Sequence, residues 1–79
     1  MTPRGAMVAD MIGWGWRAAD SDACMSVLRT SCAVVTIESV AGQVRVDIVT
    51  DSGVHGCITY AAGAYDPGGF RDWLEEFTI

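Results

Sequence analysis

Seventy-nine residues carry a formal charge of −5, with ten acidic side chains against five arginines and no lysine. That length predicts one small domain, 1–79, with little room for an enzyme site and its supporting shell, and a 51% apolar composition predicts a globular rather than a disordered chain. The acid excess argues against nucleic acid as a direct ligand, because phosphate binding needs a basic footprint, and it suits a basic protein partner.

The opening stretch MTPRGAMVADMIGWGWRAAD resembles a secretory leader only superficially: Asp10 interrupts the apolar run, and no adequate hydrophobic region follows Arg4. No segment reaches the ~20 apolar residues of a membrane span. Cys24, Cys32 and Cys57 are an odd set, which fits free thiols in a reducing compartment better than a disulfide framework. The expected location is the cytoplasm, and Met7 is an alternative start.

Residues 1–6 are expected to fray. Over 7–16 the pattern is ambiguous. Met7, Val8, Met11 and Ile12 suit a helical turn, Gly13 and Gly15 weaken one, and the shared parity of Trp14 and Trp16 would set both on one strand face. Residues 17–30 predict a helix, with Ala23, Cys24, Val27 and Leu28 as its apolar stripe and Asp20, Asp22 and Arg29 complementing its dipole. The period then changes to two. Strands are expected at 32–40, 44–50 and 54–60, joined by the turns AGQ and DSG. Val44, Val46 and Ile48 share one face of the middle strand; His55, Cys57 and Thr59 share one face of the next. After AAGAY, Asp66 and Pro67 signal a helix start, and Phe70, Trp73, Leu74 and Phe77 form a stripe that must face the sheet. The expected class is α+β: an antiparallel meander of three to four strands with two helices, one of them C-terminal, packed on one face.

Chemistry-bearing groups are few. Cys24, Cys32, Cys57 and His55 supply the residue types of a Cys₃His zinc site, but without a C-x-x-C pair. A Cys57/His55 nucleophile pair lacks an orienting third group, and no cofactor is expected. Glu75 and Glu76 point about 100° apart on a helix, so they cannot share a proton. Neither GWGW nor DPGG forms a phosphate loop. Trp14 and Trp16 are either core residues or a binding anchor. Glu38, Asp47 and Asp51 lie on or beside the strands, while Asp72, Glu75 and Glu76 lie on the outer side of the last helix. Helices on one sheet face would put these two sets on opposite sides of the domain.

The second half, VVTIESVAGQVRVDIVTDSGVHGCITYAAGAYDPGGFRDWLEEF, resembles the small anti-CRISPR proteins of phages and mobile elements that act on type I systems. Some of these run as an antiparallel meander with glycine-containing turns, followed by an amphipathic helix like FRDWLEEF. The resemblance implies a stoichiometric, non-enzymatic inhibitor in the bacterial host cell. It would dock on a surveillance complex or its nuclease, with carboxylates taking the place of nucleic acid on basic surfaces. The expected contacts are Glu38, Asp47, Asp51, Asp72, Glu75 and Glu76, with Trp14 or Trp16 as anchor. The alternatives are a homodimer paired through strand edges, and a zinc- or thiol-dependent small protein.

Overall fold

A computed structural model describes residues 2–78. In chain order it contains α1 (Pro3–Gly13), β1 (Arg17–Ser21), β2 (Met25–Arg29), β3 (Ala33–Val40), β4 (Gln43–Thr50), β5 (His55–Ala61) and α2 (Pro67–Thr78). The strands make one antiparallel sheet of five in sequential order. The α+β class, the meander and the C-terminal helix are as expected. The strand count is five rather than three or four.

The added strands come from residues 17–30, where a helix was expected. Ser26 and Leu28 are buried while Met25, Val27 and Arg29 turn to the other face, a period of two. The break comes at Asp22. Its carboxylate accepts the backbone N–H groups of Cys24 and Met25, each at 2.9 Å, and its own N–H donates to the Met25 carbonyl at 2.8 Å. An aspartate that satisfies the backbone locally in this way favours a turn over a helix.

The other helix lies earlier in the chain. Residues 3–6, expected to fray, form the first turn of α1. Thr2 caps it, its hydroxyl accepting the Gly5 N–H at 3.0 Å, and Pro3 occupies the first helical position. At the other end Gly15 takes φ +102°. The Gly15 N–H donates to the Ile12 carbonyl and the Trp16 N–H to the Met11 carbonyl. This is a Schellman stop, and it delivers Trp16 into the core beside Met11.

Both helices cover the same sheet face. Met7 and Met11 of α1 and Phe70 and Leu74 of α2 pack on Leu28, Val35, Ile37, Val44, Val46 and Ile48. Full burial of such a side chain contributes about 1.5–3 kcal/mol. α2 sits close to the sheet because Gly56 has no side chain: a Cβ there would stand 2.8 Å from Cε1 of Phe77. Two polar ties fix the helices laterally. The Arg4 guanidinium donates to Ser26 Oγ (2.8 Å), Ser39 Oγ (3.1 Å) and the Ala23 carbonyl (2.9 Å), binding α1 to the β1–β2 turn, β2 and β3. The Tyr65 hydroxyl donates to Asp10 Oδ2 at 2.7 Å, binding the entry of α2 to α1. Burial, then the Asp10 acceptor, hold the Tyr65 phenol well above its ordinary value.

Candidate functional site

The second sheet face has no covering element among the described residues. The strand register aligns three rows across it: Met25–Glu38–Arg45–Thr59, Val27–Thr36–Asp47–Cys57, and Arg29–Val34–Val49–His55. Val34 and Val49 are exposed there, and Asp47 stands near the centre. Its Oδ2 lies 3.2 Å from Arg45 Nε and its Oδ1 3.4 Å from His55 Nε2. Oδ1 is sealed from solvent and accepts no hydrogen bond among the described residues, so the imidazole stands beside it without a hydrogen bond. Arg45 is pushed above its ordinary value, first by its side-chain contact with Cys57 and then by the Asp47 charge. Glu38 is half-buried directly opposite Arg45. Asp47 is thus paired within the sheet face, while Glu38 stands across from Arg45 without an ion pair among the described residues.

α2 carries the opposite arrangement. Phe70 and Leu74 point inward, and Asp72, Glu75 and Glu76 are exposed on the outer side. Glu75 meets Arg71 at 3.5 Å; among the described residues Asp72 and Glu76 form no ion pair. The Arg71 guanidinium also lies 5.6 Å from the centre of the Trp14 ring. That flank of α2 therefore faces the end of α1, while Phe77, stacked over Gly56, turns the other flank toward β5.

The two sheet edges differ. β1 is five residues long, carries Arg17 and Asp20, and is broken by an irregularity between Ala18 and Asp20. β5 pairs with β4 over seven residues without a shift, and contains no proline, acid, arginine or lysine. Bulges and charges blunt an edge against pairing; β5 has neither apart from His55 at its start.

The expected contact residues therefore fall into separate groups. Asp72, Glu75 and Glu76 stay together on α2, Glu38 and Asp47 lie on the far side of the sheet, and Asp51 is exposed in the β4–β5 turn. The two tryptophans differ in burial. Trp16 is 7% exposed and belongs to the core. Trp14 is half-buried, its ring 6.0 Å from Phe70. Apolar area in so small a domain is needed inside.

The residue types of the zinc set are not assembled. Cys24 lies in the β1–β2 turn, Cys32 in the β2–β3 turn, and His55 and Cys57 on β5; among the described residues no group of three or more potential ligands exists. His55 turns its Nε2 to Asp47, and no hydrogen bond joins it to Cys57 among the described residues. The alternation of VRVDIVT and VHGCITY places Arg45 and Asp47 on one face of their strand and His55 and Cys57 on one face of the next, but which of these residues meet depends on the β4–β5 register.

Fold and surface together define a small two-layer α+β domain with an acidic outer helix and one unblunted sheet edge. No helix of the described residues is long and apolar enough to cross a membrane. No protein-family model, characterised protein or solved structure matches the chain.

Proposed function

We propose that this protein acts by stoichiometric binding, with the outer side of α2 docking on a basic protein surface. Three exposed acids close together on α2, two of them (Asp72 and Glu76) outside any ion pair among the described residues, carry the proposal, whereas the central strand acid Asp47 is held by Arg45. Carboxylates on a rigid helix form charge-assisted bonds with arginine and steer a basic partner into place. The resemblance in the C-terminal half supplies the first partner to test: an RNA-guided type I surveillance complex or its nuclease, whose target DNA binding or cleavage the domain would block. Tagged protein is expected to recover a basic nucleoprotein complex from a host lysate at low salt and to lose it at high salt. The charge reversals Asp72→Lys and Glu76→Lys remove recovery, whereas Asp51→Lys leaves it. Intact DNA binding by a type I complex at saturating protein overturns the CRISPR partner. Recovery that is indifferent both to salt and to the α2 reversals overturns the docking surface.

The unblunted β5 edge favours a second function, a homodimer in which β5 pairs with β5 of another copy. Light scattering decides it: a monomer at high micromolar concentration excludes this assembly.

A further inference from the structure

The five arginines are not equivalent. Arg4 is bound to the Ala23 carbonyl of the β1–β2 turn and to the hydroxyls of Ser26 on β2 and Ser39 on β3, Arg45 to Asp47, and Arg71 to Glu75. Among the described residues Arg17 and Arg29 have no ion pair and no side-chain hydrogen bond. These two are direct cross-strand partners on β1 and β2, so their side chains leave the sheet on the same face. Both are exposed, and they line one open cavity of about 670 Å³ together with Gly15, Thr30 and Ser31.

Like charges placed directly opposite each other on neighbouring strands are destabilising. Asp20 lies one row along the same face and Asp51 lines an adjoining hollow with Arg29, yet among the described residues neither arginine forms an ion pair, so the facing pair holds a repulsion that a bound anion would relieve. Two guanidinium forks can each grip two oxygens of a tetrahedral dianion, which a lone carboxylate cannot offer to both. Ser31 and Thr30 line the same rim, the Thr30 hydroxyl already accepting the Cys32 N–H at 3.3 Å. A long polyanion would also meet the field of a chain at −5, which favours a compact ligand over a nucleic-acid strand.

We infer that the Arg17–Arg29 cavity is a binding site for the phosphate group of a small molecule. The ligand is either a free inorganic phosphate or the phosphate end of a nucleotide. The site is independent of the α2 docking surface and stands or falls without it.

The test is a two-dimensional amide NMR titration at constant ionic strength, with pyrophosphate in one arm and a nucleoside diphosphate in the other. Shifts are expected at Gly15, Arg17 and residues 29–31, and Arg17→Ala or Arg29→Ala weakens binding by about tenfold or more. Equal affinity in the two arms assigns an inorganic anion; tighter binding of the nucleotide assigns the nucleotide phosphate. The unliganded variants give a second readout, because relief of repulsion should leave Tm unchanged or raise it. Absence of localised shifts at millimolar pyrophosphate, shifts that persist in the double variant, or a fall in Tm for both single variants would each overturn the site.

Discussion

The two glycines of GWGW lie two residues apart and should respond to the same substitution with opposite signs. Gly13 is the last residue of α1, does not take positive φ, and has nothing within 4 Å of a Cβ built on it. Alanine there removes backbone freedom from the unfolded chain and improves helix propensity, a gain of up to about 1 kcal/mol. Gly15 has the same open surroundings but φ +102°. A Cβ at such an angle meets its own backbone at a cost of roughly 1–2 kcal/mol, and any relaxation of φ pulls the Gly15 and Trp16 N–H groups off their Ile12 and Met11 acceptors. For a domain of this size each kcal/mol moves Tm by about 4–8 °C. Gly13→Ala is thus expected to raise Tm by a few degrees, and Gly15→Ala to lower it by roughly 5–15 °C. Thermal unfolding followed by far-UV circular dichroism reads both. Tryptophan fluorescence adds a local probe, because the Gly15 variant displaces Trp16 from the core. A fall in Tm of similar size for both variants would refute the helix stop at Gly15, as would a rise for both.

Gly56→Val sets packing against strand propensity. Valine suits a strand, but its side chain would collide with the Phe77 ring, so a loss of about 1–3 kcal/mol is expected, part of it recovered by adding Phe77→Ala. A neutral Gly56→Val in urea unfolding would show that α2 does not rest on β5. The Asp22 carboxyl lies below its ordinary 3.8, chiefly through the Cys24 and Met25 N–H groups. It therefore stabilises the fold above that value and loses its contribution as pH falls through the lowered one. Asp22→Asn should narrow the gap in urea midpoint between neutral and acid pH, and an unchanged gap counts against the turn. Tyr60 and Tyr65 are both raised above 10.0, first by burial. Their contribution is present below that pH and lost as pH rises past it, so tyrosinate absorbance should titrate later in the folded chain than in urea. Coincident titration curves would contradict the half-buried Tyr65–Asp10 tie.

The residues most legible in the sequence were those whose packing uses one unbroken period. Val44, Val46 and Ile48 alternate onto the core, and Phe70 and Leu74 repeat at helical spacing; both patterns survive in the structure because each element buries a single face. Residues 17–30 misled for an equally physical reason. Ala23, Cys24, Val27 and Leu28 satisfy a helical stripe, yet a tight turn puts Ala23 and Cys24 between two short strands. The decisive group was the Asp22 carboxylate, whose acidity suits a helix start as well as a turn; its two backbone N–H partners exist only in the turn. α1 was obscured by its own stop signal, since Gly13 and Gly15 read as weakening a helix when Gly15 terminates one. Of the candidate site, the separation of acids onto two sides was readable from parity. The distinction between neutralised and unanswered acids was not, because it depends on which strand lies beside which: Asp47 meets His55 only through the β4–β5 register.

That distinction changes which substitutions are informative. Net charge treats Asp47 and Asp72 alike, but Asp47 is held between Arg45 and His55 with one oxygen sealed from solvent. Asp47→Lys would set three bases together in the middle of the sheet, and its first effect would fall on the fold, so lost binding in that variant would not locate a partner. Asp72 and Glu76 stand on the exposed side of a helix whose hold on the sheet comes from Phe70, Leu74 and Phe77 on other sides. Surface substitutions of that kind usually stay within about 0.5 kcal/mol. A variant reversed at both positions should therefore unfold at the wild-type urea midpoint and still fail to associate with a basic partner. Loss of association together with loss of stability would place the cause in the fold rather than in the docking face.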